Sequence, residues 1–426
     1  MRLWSEPLEV DSVQAIGFPS GESVFVARDV CTWTALRHAV SIFLDSASLP
    51  ADRSARILLK PNFNNDLVAL TGNATDLRLL RALFEALQAR GYRNLTVADG
   101  PNFGIRRKGI NVLRRLAVDR LASLHDVQVR DLNDDEPRTV LLVRGRETGL
   151  AMTCLKADFV LNLAKLKTHA EAGMSLACKN MIGCNVAGYK RRVHDDLPRA
   201  IVRLARLLPA GLHIVDGLVA MEGNGPGAGT PRELGLLFAG RNPFLLDAAI
   251  AQWVGIGPAS LPYLAVARTE GLLSYEDWAA VTALEPLTTL EPAPRPPWIT
   301  RVLTRNELSS LRDAVRPLFD NRLVRELLQR AGVVQDVYET AEAQVTLKLR
   351  HDVGLARLSA YCPMELDIAA FRFDPAESRC IHCLYCYWLD RDGAIEVQGE
   401  LGHLATHLRR YRALVRTRVG DGWEAA

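Results

Sequence analysis

Four times in its first half or so, this chain runs through a short apolar stretch that ends in polar or charged residues. The stretches are ARILLKPNF (Ala55 to Phe63), NLTVADG (Asn94 to Gly100), ADFVLNLAKLKTH (Ala157 to His169) and HIVDGLVAMEGNGPGAG (His213 to Gly229). Apolar runs of this length read as buried strands. Asp76 to Arg90 follows the first with apolar residues at helical spacing, and a further strand, ELGLLFAG (Glu233 to Gly240), leads into the apolar helix Pro243 to Val254. Strand then helix, repeated, is the pattern of a parallel sheet covered by helices. The expected class is α/β, a mostly parallel sheet with flanking helices.

In open sheets of this kind, ligands bind beyond the carboxyl ends of the strands. That rule singles out Lys60, Asn62, Asp99, Lys165, Lys167, His169, Asp216 and Glu222. Lysine usage points to the same region. The chain has 8 Lys against 44 Arg, and Lys156, Lys165, Lys167, Lys179 and Lys190 fall within one 35-residue stretch. Lysine is the compact ammonium whose pKa moves on burial, suited to a phosphate contact or a general base. Side chains repeat every two residues on a strand, so Lys165, Lys167 and His169 are expected on one face, with Lys179 and Asn180 closing the spot. His194, at the start of His194-Asp195-Asp196, is the other candidate proton carrier. The loop from Glu222 to Gly229 holds four glycines in seven residues (Gly223, Gly225, Gly227, Gly229), so its N–H groups could approach an anion, although a plain tight turn reads equally well.

The 426 residues, 48% apolar and 24% charged, allow about two or three domains and exclude a disordered or disulfide-stapled chain. A Pro-rich segment, Glu285 to Trp298, marks a boundary. The expected division is an α/β substrate-binding domain over 1–285, a linker and helical bridge over 286–344, and a C-terminal module with a final helix over 345–426. Charged residues interrupt every apolar stretch before about 18 residues, so no membrane span is expected. The N-terminal MRLWSEPLEVDS has no apolar core of a secretory signal, and a cytoplasmic location is expected. A net charge of +3 speaks against nucleic-acid or anionic-membrane partners.

In such a chain, cysteine spacing is more telling than cysteine number. Cys380, Cys383 and Cys386 form the C-x2-C-x2-C run of bacterial ferredoxins, but Asp390 stands where the closing Cys-Pro belongs. A Cys-Pro occurs 18 residues before Cys380, at Cys362-Pro363. In two-cluster ferredoxins the closing Cys serves the other cluster. Leu358, Leu355 and Asp352 occupy the places of a first run, so one cluster reads as lost and one kept, on Cys362, Cys380, Cys383 and Cys386. The expected cofactor is one 4Fe-4S cluster in a small α+β ferredoxin-like module. Zinc, with His382 among the thiols, is the competing reading, and a three-thiolate cluster with an open iron is another.

Several motifs together resemble one family. They are KPN at Lys60 to Asn62, Thr71 and Thr75, ADG at Ala98 to Gly100, KLKTH at Lys165 to His169, Lys179 to Gly183, the lone His194, VDG at Val215 to Gly217, Met221 to Gly229, and Asp247-Ala248. In this order they resemble the uncharacterised bacterial and archaeal family catalogued as domain of unknown function 362, over roughly Ala55 to Leu273. The resemblance implies an iron-sulfur protein of unassigned activity with a C-terminal ferredoxin-type module.

The expected function is thus a redox reaction on a small anionic substrate, with electrons passing through the cluster and protons handled by His169 or a lysine. A redox partner protein is expected. Two alternatives stay open: a non-redox lyase, isomerase or transferase using an open iron or the lysines, and an electron-carrier or scaffold subunit without its own substrate.

Overall fold

The computed structural model describes residues 13–208, 210–294, 338–371, 373 and 379–423. Most of the helical bridge expected between 299 and 342 lies outside them. The chain opens with the hairpin β1 (Val13–Gly17) and β2 (Ser23–Ala27), then helix α1 (Trp33–Ser46). β3 (Ile57–Lys60), helix α2 (Leu77–Ala89), β4 (Leu95–Asp99) and β5 (Gln128–Asp131) follow as parallel neighbours. A second hairpin, β6 (Pro137–Leu141) with β7 (Glu147–Ala151), and a short helix, Met152–Lys156, carry the chain to β8 (Phe159–His169). The short strand β9 (Gly173–Ser175) folds back on β8. β10 (Leu212–Glu222) runs parallel to β8, and β11 (Thr230–Gly240) returns antiparallel beside it and pairs with β2.

The sheet order is β1-β2-β11-β10-β8-β3-β4-β5, so the parallel part is β10-β8-β3-β4-β5, extended by three antiparallel strands. Every residue of β8 and β10 is buried, as central strands covered on both faces require. From β3 the chain first builds outward to β4 and β5, then crosses back to lay β8 on the other side of β3. Such a reversal leaves a crevice beyond the carboxyl ends of the two strands. Here those ends are Lys60 and the segment Lys165 to His169.

Helix α2 starts where the sequence suggests, with Asp76 as its N-cap accepting from Arg78 N, and it buries Leu79, Leu80, Leu83, Phe84 and Leu87 against the sheet. The C-terminal segment adds a two-stranded antiparallel pair, β12 (Gln344–Leu349) and β13 (Ile395–Glu400), and the helix Leu404–Arg418. Position 345 is not a packing boundary. Tyr361, Tyr385, Trp388, Tyr411 and Trp423 lie in one continuous core with β3, β4 and α2.

Candidate functional site

Pro61 cannot donate a ladder hydrogen bond, and the chain leaves the sheet there, just after Lys60. The Lys60 ammonium, fully buried, donates to Asp99 Oδ1 at 2.7 Å, Pro61 O at 3.0 Å and Asn180 Oδ1 at 3.3 Å. Burial works against its charge, but Asp99 and the nearby Cys184 outweigh it and hold the group above the ordinary lysine range. Asn62 Nδ2 donates to the same Asn180 oxygen at 2.8 Å, and Asn62 Oδ1 accepts from Lys167 Nζ at 2.8 Å. Lys167 also donates to Asn73 O at 2.7 Å. Asp99, Lys60, Asn180, Asn62 and Lys167 therefore form one hydrogen-bonded chain across the crevice.

Lys165 goes elsewhere. Its ammonium meets Asp216 Oδ2 at 2.9 Å, with both side chains at 0% exposure. Asp216 Oδ2 also accepts from Asp76 N at 2.7 Å, and Oδ1 from Leu218 N at 3.0 Å. The Asp76 carboxylate is spent on Arg78, at 2.8 Å. The expected convergence of Lys165, Lys167 and His169 on one spot is corrected here: Lys165 is committed to a buried ion pair with Asp216, while Lys167 and His169, also buried, bond elsewhere. The register break in β10 between Asp216 and Met221 separates the partners of Lys165 and Lys167.

His169 closes β8. Its Nδ1 accepts from Glu171 N at 3.1 Å and Ala172 N at 3.3 Å, which places the proton on Nε2. Burial, with Lys179, His194 and Lys167 nearby, holds the ring well below the usual histidine range, so the imidazole is neutral at pH 7. Lys179 sits on the helical turn Ala177–Asn180, half-buried, with no hydrogen-bond or ion-pair partner among the described residues. Desolvation pulls its pKa down to about 8, with Lys60 adding to the effect and Glu171 opposing it. His194 is half exposed, its Nδ1 3.3 Å from Glu171 Oε2, and stands at the rim. A neutral N–H donor beside an unpaired ammonium fits a carboxylate or phosphate oxygen.

The glycine-rich loop is tied into the protein. Gly223 N donates to Glu291 O, Gly225 N to Gly223 O and Ala228 N to Asn224 O, while Gly227 O accepts from Tyr411 Oη at 2.9 Å. A Cβ at Gly225 would stand 2.2 Å from Thr168 O, so glycine is required there by close approach to β8. Of the two readings the sequence left open, these bonds favour the tight turn. Glu222 accepts from Arg232 at 3.1 Å and from Arg418, on the C-terminal helix, at 3.3 Å. It acts as a clamp.

Cys362, Cys380, Cys383 and Cys386 line one small cavity of about 20 Å³, walled by Met364, Leu366, Ile368, Phe371 and Ile381 among others. His382 and Leu384 take left-handed backbone conformations (φ 53° and 63°), which turn the loop between successive cysteines. Burial raises the thiols of Cys362, Cys383 and Cys386 above the ordinary range, while N–H groups of Leu366, Tyr385 and Tyr387 point at their sulfurs. The donor set and the apolar walls fit an iron-sulfur cluster, whose sulfurs take such N–H bonds. Among the described residues no three His, Cys, Asp or Glu side chains converge as a single metal ion requires. Asp390, in place of a further cysteine, caps the turn into β13 by accepting from Ala394 N at 3.0 Å and Ile395 N at 3.1 Å.

Sequence reasoning gave no site role to several contributors. Asn73 is buried, and its Oδ1 has no hydrogen-bond partner among the described residues. Its signal is the polar TGNATD run (Thr71 to Asp76), in which Asn73 stands between the two motif threonines. Asp247 accepts from Ala177 N at 2.8 Å and Cys178 N at 3.0 Å, anchoring the turn that presents Lys179. Lys190 donates to Pro101 O at 2.8 Å and Asn133 Oδ1 at 2.6 Å, closing the Asp99 side.

Residues 57–252 match the family described as Domain of unknown function (DUF362). Thylakoid-associated protein sll1697 of Synechocystis sp. (strain ATCC 27184 / PCC 6803 / Kazusa) is 31% identical over 230 residues, covering 51% of this chain and 68% of that protein. The chain belongs to the DUF362 family. Among solved structures, the lactate racemase apoprotein from Thermoanaerobacterium thermosaccharolyticum is 12% identical at a TM-score of 0.32, over 44% of this chain and 49% of that one. No helix among the described residues is long and apolar enough to cross a membrane.

Proposed function

We propose that this protein is a cytoplasmic iron-sulfur oxidoreductase whose substrate is a small anion bound between Lys179, His169 and Lys167. Cys362, Cys380, Cys383 and Cys386 would hold one 4Fe-4S cluster, which supplies single electrons. The observation that carries the reading is that the start of helix α2 touches both places. Leu77 N donates to Tyr385 Oη at 3.3 Å, inside the cysteine loop, and Asn73 O, four residues earlier, accepts from Lys167 Nζ at 2.7 Å. Four thiols lining a common apolar cavity are the donor set a 4Fe-4S cluster takes.

In this reading the residues divide the work. Lys179 and the Nε2–H of His169 hold the substrate anion. Lys167, fixed by Asn62 and Asn73, sets its orientation. Lys179, near pH 8, is the group able to exchange a proton at working pH. The same property favours, as a second reading, proton transfer without electrons. An anaerobic iron and sulfide count with electron paramagnetic resonance tests the first. About four irons per chain are expected, with loss or conversion of the signal in Cys362→Ala. Zinc in place of iron, or an unchanged signal in Cys362→Ala, refutes it.

A further inference from the structure

A second cleft lies at the amino-terminal ends of β3, β4 and β5, the opposite end of the strands from the lysines. It exists because the crossover from β5 to β8 uses a hairpin and a helix of five residues, Met152–Lys156, in place of a full-length helix. Five residues rise only about 7.5 Å. The lower halves of β4 and β5 are left uncovered, and the space is about 330 Å³. Leu58, Thr96 and Gln128 are in register across the three strands and share a face. Arg130 is two residues further along β5. Facing them, Met152, Thr153 and Lys156 present one side of the short helix.

The polar lining is unspent. Thr96, Gln128, Arg130, Lys156 and the Glu136 carboxylate have no side-chain hydrogen-bond or ion-pair partner among the described residues. Their neighbours differ: Arg56 is held by Asp158 at 2.8 Å, and Asp135 Oδ2 accepts from Thr153 N at 2.8 Å, which pins the helix to the cleft wall. Two cations and one carboxylate thus face a floor made apolar by Leu58, Met152 and Ala157.

We propose that this cleft binds a small aliphatic amino carboxylate, its carboxylate between Arg130 and Lys156, its amine on Glu136 and its side chain on Leu58 and Met152. A carboxylate on a guanidinium gives paired, charge-assisted bonds, and the cleft volume is at the lower end of small-molecule sites. The site is separate from the cysteine cavity and does not depend on what that cavity holds.

Isothermal titration of the full chain with L-valine, butyrate, butylamine and inorganic phosphate tests the assignment. L-Valine should saturate with a Kd below about 1 mM, which corresponds to about 4 kcal/mol. Arg130→Glu and Lys156→Glu should each weaken it at least tenfold, and Glu136→Gln should weaken L-valine but not butyrate. All three positions are solvent-exposed, so an unchanged melting temperature serves as the folding control. No saturation by L-valine, an affinity unmoved by the charge reversals, or equal losses for L-valine and butyrate in Glu136→Gln would overturn it. Retained binding in Cys362→Ala separates this site from the redox proposal.

Discussion

Asp216→Asn is the most informative single change, because it alters one charge in a fully buried pair and almost no volume. Two costs follow from the geometry. Lys165, at 0% exposure, keeps its ammonium 2.9 Å from an atom that no longer carries charge. Breaking a buried pair by removing one partner costs about 3–5 kcal/mol. The carboxylate also accepts from the backbone N–H of Asp76 and of Leu218, whereas an amide offers one acceptor oxygen. One buried N–H is therefore orphaned, at about 1–3 kcal/mol. The sum, about 4–8 kcal/mol, is comparable with the whole stability of a typical domain. Urea unfolding followed by far-ultraviolet circular dichroism should show a large fall in midpoint, or loss of soluble protein. Because an unfolded variant alone says little, Lys165→Met combined with Asp216→Asn, which removes both charges and keeps one acceptor for the two backbone N–H groups, supplies the second arm. Removing both charges should restore at least half of the lost stability. A loss below about 1 kcal/mol for Asp216→Asn would refute the ion-pair reasoning, since no buried, satisfied carboxylate is that dispensable.

Other perturbations separate strain, titration and binding. At Gly72 (φ +75°) a Cβ would stand 2.2 Å from Ala220 O, whereas at Gly109 (φ +73°) nothing lies within 4 Å. Gly72→Ala should cost more than about 3 kcal/mol and Gly109→Ala about 1 kcal/mol in denaturant melts; equal losses would contradict the packing argument. Burial holds His213, beside Asn162, at about 3. The unfolded chain takes up a proton near pH 6.5 that the folded chain refuses, so stability falls as pH drops from about 6.5 toward 3. Asp247, raised to about 6 by burial, acts oppositely below pH 6, because the folded chain holds its proton. His213→Gln should flatten the stability profile near pH 5 by about 1.4 kcal/mol per pH unit, and parallel profiles would disprove it. Lys179→Met should leave the melting temperature unchanged or higher while weakening phosphate or dicarboxylate binding at least tenfold, and undiminished binding would move the anion site elsewhere.

Much of the fold was legible because strand ends in a parallel sheet are marked by an abrupt change from apolar to polar. The ends of β3, β4 and β8 stand where ARILLK, NLTVAD and ADFVLNLAKLKTH place them. The alternation that placed Lys165 beside Lys167 was equally visible, yet parity does not say which side chain finds a carboxylate. Asp216 is 51 residues away in sequence, and only the strand order brings it to Lys165. The same holds for Asn73 and Asp247, polar residues whose side chains meet backbone groups of distant turns. Cys362 was readable as a partner of the later cysteines from a dipeptide alone, and the structure puts all four around one cavity.

The family match runs from 57 to 252, stopping inside the helix Pro243–Trp253, but the cooperative unit is wider. Arg78 carries a guanidinium stacked 4.0 Å from Trp423 and 4.9 Å from Tyr361, both beyond the matched stretch. β2, which precedes that stretch, is what pairs β11 along Leu237 to Gly240. A fragment trimmed to the shared sequence would bare a cation made for an aromatic enclosure and open a strand edge to other copies. Expressed alone, it should aggregate, so kinship and foldability have different borders in this chain.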